Sequence, residues 1–391
     1  MRKIAVVTVG RSDYGIYRPV LRRMAAMTGL DLRILVSGAH LLPEYGDTWR
    51  DIERDGFTIG RKIPMLESGK DDPKSVAKAM SAGLAGFAEA YESERPDLVL
   101  LLGDRYEMFS AAAAALPFKL PLAHIHGGEV TEGAIDEAMR HSISKMSHLH
   151  FVAAEVFCER LMRMGEEPWR ITVSGAPGLD NLHELRLLSS EELKSRFGVN
   201  ADAPFLLITF HPVTLEHEHA GTQFAELLAA LEEQTCNLVF TYPNADTDNR
   251  AIIAAIQQFI ATHRNGKAVQ NLGTAGYFSM MSRALAMVGN SSSGILEATS
   301  FKLPVVNVGN RQRERLQARN VVNCGTVRGE IAQAIRMATS EEFRRGLAGL
   351  VNPYGTGNAT EKIVGVLSEV PLDQRLILKR FIDTGAECSH G

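Results

Sequence analysis

The stretch Leu98-Val99-Leu100-Leu101-Leu102-Gly103-Asp104-Arg105-Tyr106-Glu107 decides the fold class of this chain. Its first five residues are apolar without alternation, which is the pattern of a parallel strand buried on both faces. A glycine and several charged residues follow at once. In parallel sheets covered by helices, ligands bind beyond the carboxyl ends of the strands. The stretch therefore predicts an α/β fold with functional side chains placed just after its strands.

The same pattern recurs along the chain. Further apolar runs in the first half are Ile4–Val9, Leu32–Val36, Leu122–Ile125, His150–Ala153 and Ile171–Val173. Amphipathic segments such as Tyr17–Thr28 and Ser75–Glu94 lie between them and predict helices. After Ala176-Pro177-Gly178 the alternation restarts, with runs at Phe205–Phe210, Leu238–Thr241, Ala286–Val288 and Pro304–Val308 and helical segments at Thr222–Gln234 and Asp248–Thr262.

This repeated alternation predicts two Rossmann-like domains with a cleft between them, and the length of 391 residues favours two domains as well. We place the first domain in residues 1–176 and the second in residues 177–370. Residues 371–391 are expected to form a C-terminal helix, Asp373–Thr384, and a tail.

Composition excludes several classes of function. The formal net charge is −4 and no basic block occurs, which argues against nucleic-acid and anionic-membrane partners. No apolar stretch approaches the length of a membrane span. The four cysteines are far apart and form no CxxC pair, so we expect a reducing compartment, the cytoplasm.

Three polar segments of the first half follow predicted strands. Gly10–Gly15 suits an anion, although it is equally read as a strand–helix turn capped by Ser12 or Asp13. Asp104 beside Arg105 suits acid–base work, although a surface ion pair with Asp104 as a helix cap is the simpler reading. The third segment, His124 to Glu129, is followed by Asp136 to His141, which is predicted to open a helix.

These ionisable groups are predicted to share one edge of the sheet. His124 and His126 are expected on one face of their strand, since side chains alternate. Capping carboxylates and core histidines would explain each group alone. The whole set is better explained by a functional site.

The second half contributes His211 after a strand and the segment Gly289-Asn290-Ser291-Ser292-Ser293-Gly294 with Glu297. Hydroxyls and free N–H groups at a helix start favour a diphosphate, and Glu297 one turn on would accept hydrogen bonds from ribose hydroxyls. A serine-rich helix cap is the alternative. Of Arg311, Arg313 and Arg315, we expect only Arg311 to point inward.

Two segments resemble metal sites without matching one. His217 and His219 have no usual zinc spacing, and a solvated loop explains them better. Asp246-Thr247-Asp248 is better explained as a cap of the following helix. The motifs call for neither a metal nor NAD, so we predict no metal ligand and no cofactor.

Taken together, these motifs resemble the UDP-N-acetylglucosamine 2-epimerase family, and specifically its hydrolysing branch, from about Lys3 to about Asn358. The resemblance implies the GT-B fold. It also implies a UDP-binding set, to which we add Asp13 and Ser293: Arg11, Asp13, Ser291, Ser292, Ser293, Glu297 and Arg311. The implied catalytic set is Asp104, His126, Glu129, Asp136 and His211.

The chain departs from part of the family at His126. Some hydrolysing members, including the animal enzymes, have glutamate there, in His-Ile-Glu-Gly-Gly-Glu, whereas this chain has His-Ile-His-Gly-Gly-Glu. The glutamate's role therefore falls to His126, to Glu129 or to their neighbours.

The reaction that the resemblance implies is elimination of UDP to a glycal, followed by hydration and return of a proton to C2 from the opposite face. We expect UDP-N-acetylglucosamine as the substrate, with UDP-N,N′-diacetylbacillosamine close behind, for sialic or legionaminic acid synthesis. A GT-B glycosyltransferase and a catalytically silent nucleotide-sugar sensor are the rival readings, because fold alone does not separate them. The enzyme is expected to be a homo-oligomer, a dimer or a tetramer.

Overall fold

The structure, a computed structural model, describes residues 1–70, 72–131, 135–211, 220–242, 249–312 and 314–383. Its internal contacts divide the chain into two compact units. The first contains the described residues of 1–129, 135–183 and 357–391, and the second contains those of 130–134 and 184–356.

The first unit is built on a parallel sheet of seven strands. They are β1 (Arg2–Thr8), β2 (Leu30–Ser37), β3 (Ile59–Ile63), β4 (Leu98–Leu102), β5 (Leu122–Ile125), β6 (Leu149–Val152) and β7 (Ile171–Val173). Their spatial order is β3-β2-β1-β4-β5-β6-β7. The helices of this part are α1 (Arg11–Ala25), α2 (Trp49–Arg54), α3 (Pro73–Glu94), α4 (Tyr106–Ala115), α5 (Ile135–Met146), α6 (Glu155–Arg163) and α7 (Asn181–Glu184). The order reverses between β1 and β4, which is where ligands bind in doubly wound sheets.

The second unit repeats this plan with six parallel strands. They are β8 (Phe205–Thr209), β9 (Asn237–Thr241), β10 (Gly266–Val269), β11 (Ala286–Gly289), β12 (Val305–Val308) and β13 (Val321–Cys324), in the order β10-β9-β8-β11-β12-β13. Its helices are α8 (Ser190–Phe197), α9 (Ala220–Leu231), α10 (Asn249–Thr262), α11 (Gly273–Met281), α12 (Ser293–Leu296), α13 (Arg328–Thr339) and α14 (Glu341–Gly346). The order reverses between β8 and β11. The predicted pair of Rossmann-like domains is confirmed.

The burial of each strand explains why some strands could be predicted from the sequence and others could not. Every residue of β4 is buried, as its unbroken apolar run requires. The three strands without a prediction, β3, β10 and β13, all lie at sheet edges and are only partly buried. An edge strand packs against one neighbour, so its sequence needs no continuous apolar run.

The segment Gly10–Gly15 is not a loop. Helix α1 already begins at Arg11, and the Tyr14 N–H donates to the Gly10 carbonyl at 3.1 Å. The N-cap is Gly10, with extended backbone and no capping side chain. The alternative in which Ser12 or Asp13 caps the helix is therefore wrong, because both lie inside its first turn.

The C-terminal part returns to the first unit as α15 (Ala359–Glu369) and α16 (Gln374–Ile377). The Asp180 carboxylate accepts the N–H groups of Ala359 and Thr360, at 3.1 and 2.6 Å, and so caps α15. This contact keeps residues 177–183 in the first unit, so the observed division falls after His183, whereas the prediction placed it after Ala176.

The predicted helix Asp373–Thr384 is wrong in extent. Only α16 is helical, and residues 378–383 continue without helical structure. Arg170 explains the early end, because its guanidinium donates to the carbonyls of Leu376 and Leu378, at 2.8 and 3.0 Å. No described helix is long and apolar enough to cross a membrane.

Candidate active site

Charged side chains of the first unit gather where β1, β4 and β5 end. They lie on α1, α4 and α5 and among the residues that precede these helices. The group consists of Asp13, Asp104, Arg105, Glu107, His126, Glu129, Asp136 and Arg140. Parallel strands bring their carboxyl ends to one edge, which is why residues far apart in sequence meet here.

Arg140 connects this group. Its side chain is buried on α5 and forms an ion pair with Asp104, which follows β4. The same guanidinium donates to the His126 carbonyl at 2.7 Å. Asp104 therefore pairs with Arg140, and the N-cap of α4 is Arg105. The reading of Asp104 as a helix cap in a surface ion pair is wrong.

His126 lies just beyond β5, in a left-handed backbone conformation with φ of 64°. The strand ends at Ile125, so the expected alternation that would put His124 and His126 on one face does not extend to His126. The His126 Nδ1 atom lies 2.5 Å from Glu129 Oε1, and both residues are buried. Left-handed backbone is uncommon for a residue other than glycine, and it often marks a functional position.

His124 has a different environment. Its Nε2 atom lies 2.7 Å from the Gly103 carbonyl and its Nδ1 atom 3.1 Å from the Ser144 hydroxyl. Burial lowers the pKa of His124 to about 3. It is a neutral core histidine.

Two aspartates of the group have raised pKa values. Burial raises the pKa of Asp13 to about 7; Arg105 opposes that change, and Glu107 adds to it. Burial raises the pKa of Asp136 to about 6, and the Asp104 carboxylate acts in the same direction. Near neutral pH these two groups can give or take a proton, which is the property that acid–base catalysis requires.

Arg105 has a buried partner that the sequence did not reveal. Its Nε and Nη2 atoms lie 3.2 and 3.1 Å from the two oxygens of Glu107, whose side chain is fully buried. Arg11, in contrast, is exposed at the start of α1.

The second unit places His211 directly after β8. Asn290 holds its main chain from both sides: the His211 N–H donates to Asn290 Oδ1 at 2.7 Å, and Asn290 Nδ2 donates to the His211 carbonyl at 2.8 Å. Burial lowers the pKa of His211 to about 3, and the nearby Arg311 cation adds to that decrease. The imidazole is therefore neutral in this state, and it can donate a hydrogen bond but not a positive charge.

Residues 290–293 follow β11 and form what we call the serine loop. The Ser293 N–H donates to the Ser291 hydroxyl at 3.3 Å, and Arg311 Nη1 donates to the Asn290 carbonyl at 3.0 Å. Helix α12 has only four residues and ends before Glu297, so Glu297 does not lie within it as predicted. So short a helix has little dipole, and the hydroxyls, N–H groups and Arg311 remain as the groups that could bind an anion.

Tyr277 lies beside the serine loop, and no sequence pattern identified it. Its hydroxyl lies 3.3 Å from the Thr209 hydroxyl and near the Ser291 and Ser293 side chains. Burial raises the pKa of Tyr277 to about 12, and the charge of Glu297 acts in the same direction. In the sequence, Tyr277 lies inside α11 and does not directly follow a strand. The search for polar residues just after strands therefore could not identify it.

Several predicted positions lie outside the described residues. These are Pro212, Val213, Thr214, His217, His219, Asp246, Thr247, Asp248 and Arg313. Among the side chains that the structure describes, no group of three His, Cys, Asp or Glu residues is arranged to hold a metal ion.

Comparison with known proteins identifies the family of this chain. Residues 22–368 match the family described as UDP-N-acetylglucosamine 2-epimerase. The chain belongs to the UDP-N-acetylglucosamine 2-epimerase family. The resemblance inferred from the motifs is thereby confirmed.

Individual relatives place the chain within this family. It is 38% identical to the UDP-N,N'-diacetylbacillosamine 2-epimerase (hydrolyzing) of Legionella pneumophila, over 97% of this chain and 99% of that protein. It is also 38% identical to the GDP/UDP-N,N'-diacetylbacillosamine 2-epimerase (hydrolyzing) of Campylobacter jejuni, over 98% of this chain and 99% of that protein. A UDP-N-acetylglucosamine 2-epimerase of Neisseria meningitidis is 30% identical, over 98% of this chain and 99% of that protein.

The fold also matches that of solved family members. The crystal structure of a Neisseria meningitidis UDP-GlcNAc 2-epimerase bound to UDP-GlcNAc has a TM-score of 0.82 and 20% sequence identity, and covers 93% of this chain and 99% of that chain. The predicted GT-B fold and the predicted hydrolysing 2-epimerase branch are confirmed. The roles of the individual site residues stay predictions.

Proposed function

We propose that this 2-epimerase hydrolyses a UDP-2-acetamido sugar to UDP and the free manno-configured sugar. The observation that carries the proposal is the connected group Asp104–Arg140–His126–Glu129, with Asp136 nearby, in a chain that is 38% identical to two hydrolysing 2-epimerases over nearly its whole length. A nucleotide-sugar sensor would not need this group, since it has to bind only the nucleotide part.

The reaction divides into two steps. In the first, a base removes the C2 proton, the C–H electron pair forms the C1=C2 double bond, and the C1–O pair leaves with UDP. In the second, water adds its oxygen to C1 of the glycal while an acid returns a proton to C2 from the opposite face. One water is consumed, and the products are UDP and the epimerised sugar.

The chemistry of the two steps guides the proposed roles. Asp104, His126, Glu129 and Asp136 form the acid–base set, because two proton transfers on opposite faces need more than one group. With its raised pKa, Asp136 is suited to donate a proton near neutral pH. His211 would donate a hydrogen bond to the leaving diphosphate as a neutral imidazole.

UDP is proposed to bind the serine loop with Glu297 and Arg311, and Arg11 and Asp13 are proposed to complete the set. We also add Tyr277, because its hydroxyl lies near the Ser291 and Ser293 side chains. With a pKa of about 7, Asp13 is partly protonated at neutral pH, which reduces its repulsion of a diphosphate.

We favour UDP-N,N'-diacetylbacillosamine as the substrate and place UDP-N-acetylglucosamine second. This reverses the order expected from the sequence. The reason is the identity of 38% to two relatives named for the first sugar against 30% to one named for the second. Because one of those relatives is named for both GDP and UDP, the GDP-linked sugar should be tested too.

The test is turnover in heavy water without an acceptor. We expect release of UDP without added metal and in the presence of EDTA, and NMR should show the free manno sugar with deuterium at C2. Retention of the original C2 hydrogen would exclude proton removal. A requirement for a second sugar or for a divalent ion would favour the glycosyltransferase.

Location and assembly also remain proposals. We propose a cytoplasmic enzyme, which agrees with the free thiols of Cys158, Cys236 and Cys324. We propose a homo-oligomer, a dimer or a tetramer, which light scattering of the purified chain would measure.

A further inference from the structure

His126 is held on three sides. Its N–H donates to the Phe151 carbonyl at 3.0 Å, its carbonyl accepts from Arg140 at 2.7 Å, and its Nδ1 atom meets Glu129 at 2.5 Å. These contacts maintain a left-handed backbone, with φ of 64°, which is strained for a residue other than glycine. Glycine would adopt this conformation without strain. A histidine at this position is therefore better explained by a role of its side chain than by space filling.

The pairing with Glu129 leaves one ring nitrogen for chemistry. An ionised carboxylate only accepts hydrogen bonds, so a Glu129 carboxylate places the imidazole proton on Nδ1. Among the described residues, Nδ1 is the ring atom of His126 with a hydrogen-bond partner, and the side chain keeps 9% of its exposure. Nε2 then carries a lone pair and can accept a proton.

We infer that His126 and Glu129 form a catalytic dyad, in which Nε2 of His126 exchanges the C2 proton and Glu129 positions the ring and stabilises its cation. This inference rests on the proposed function. It makes His126 the catalytic residue and Glu129 a positioning residue, and so decides which of the two takes the place of the glutamate found in the animal members.

The proton balance of the step is complete. Nε2 takes the C2 proton as UDP leaves with the C1–O electron pair, and the resulting imidazolium is paired with the Glu129 carboxylate. The imidazolium then returns its proton to water, so no further reactant is needed. Among the described residues, the charged and titratable groups near His126 are Glu129, Arg140 with its partner Asp104, and the neutral His124.

Chemical rescue tests the catalytic role. His126→Gly suits the left-handed backbone and leaves a space of the size of the ring. We expect kcat/KM to fall by about 10²–10⁴-fold and to recover in a saturable way with added imidazole. His263→Gln removes a histidine from another His–Glu pair, with Glu232 at 3.8 Å in the second unit, and should retain full activity. Near-wild-type activity of His126→Gly without imidazole would overturn the dyad.

The pH profile tests the positioning role. Glu129→Gln should lower kcat, and it should move the acid limb of kcat/KM down by about one pH unit, because the imidazolium loses its counter-charge. The double variant His126→Gln/Glu129→Gln should have about the activity of the less active single variant, since the two residues act as a unit. An active His126→Gln together with an inactive Glu129→Gln would make Glu129 the base and overturn the assignment.

NMR separates failure of the dyad from failure of the proposed function. Nitrogen-15 spectra of labelled enzyme report the His126 tautomer without any turnover. We expect the proton on Nδ1 in the wild type, and loss of this preference for Nδ1 in Glu129→Gln. A proton on Nε2 would overturn the dyad even in an active 2-epimerase, whereas a wild type inactive on every nucleotide sugar would contradict the proposed function alone.

Discussion

Environment, more than residue type, separates functional side chains from core side chains in this enzyme. His124 and His126 are two positions apart. His124 has partners for both ring nitrogens, at Gly103 and Ser144, and is a structural residue. His126 lies beyond the end of the strand, in left-handed backbone, with Glu129 as its partner. The two histidines therefore have different environments, and only His126 is proposed to be catalytic.

Single residues beside the serine loop lead to a prediction about UDP affinity. Tyr277→Phe removes one hydroxyl from beside Ser291 and Ser293, and should weaken UDP binding about fivefold, the value of one hydrogen bond near 1 kcal/mol. Glu297→Gln should weaken it further, by about 10-fold or more, because a charged acceptor for ribose hydroxyls is lost.

Isothermal titration calorimetry measures both effects. Tyr91→Phe is the matched control, because Tyr91 is a buried tyrosine of the first unit whose hydroxyl donates to the Ala111 carbonyl at 3.0 Å. Its UDP affinity should stay unchanged. Wild-type affinity in both Tyr277→Phe and Glu297→Gln would place the nucleotide away from the serine loop.

Among the elements, the C-terminal segment 374–382 depends on buried charges for its position. Arg170 is fully buried and donates to the Arg375, Leu376 and Leu378 carbonyls. Lys379 reaches the Glu166 carboxylate at 2.7 Å and the Ser147 carbonyl at 2.5 Å. Main-chain carbonyls and side-chain cations therefore fasten this segment where a longer helix was predicted.

Arg170→Met should lower the free energy of unfolding by at least about 2 kcal/mol, because three carbonyls lose a charged donor. It should also expose the segment to trypsin at Lys379 and Arg380. The control is Arg163→Met, since Arg163 is exposed and lies 3.7 Å from Glu159. Urea unfolding and limited proteolysis measure the two effects. Equal stability and equal cleavage in both variants would show that Arg170 does not hold the segment.

The whole molecule carries many buried groups whose protonation differs from that in the unfolded chain. Among the described residues, burial lowers the pKa of five histidines: His40 and His148 to about 4, His124 and His211 to about 3, and His150 below its usual value. Burial raises the pKa of two aspartates, Asp13 and Asp136. Between pH 6 and 4, unfolding lets the histidines take up protons while the aspartates release them.

Five histidines outweigh two aspartates, so unfolding takes up protons in this window and stability falls as the pH falls. We expect the thermal unfolding midpoint to decrease by several degrees from pH 7 to pH 5. Below pH 4.5 a further loss should follow. Burial alone would raise the pKa of Glu166, but its hydrogen bonds to His150, Lys145 and Lys379 outweigh that and lower it to about 2, and the stability they provide disappears on protonation.

Scanning calorimetry across this range provides the measurement. His148→Gln removes one of the five histidines, and its midpoint should depend less steeply on pH than that of the wild type. A midpoint that stays constant or rises on acidification would contradict the proton balance.

The sequence by itself determined the fold class and the family. Central strands such as β4 must be apolar on both faces, so they appear as unbroken runs, and the polar residues after them mark the functional edge of the sheet. Asp104, His126, Glu129, Asp136, His211 and the serine loop could all be predicted from this rule.

The tertiary structure decided what depends on partners distant in sequence. Asp104 meets Arg140 36 positions away, Asn290 holds His211 79 positions away, and Tyr277 reaches the serine loop from a helix. It also decided the extent of the edge strands and of the last helix, since these need little apolar pattern of their own. Periodicity reports which face of a segment is buried. It does not report which buried groups meet, because that depends on how segments far apart in the chain pack together.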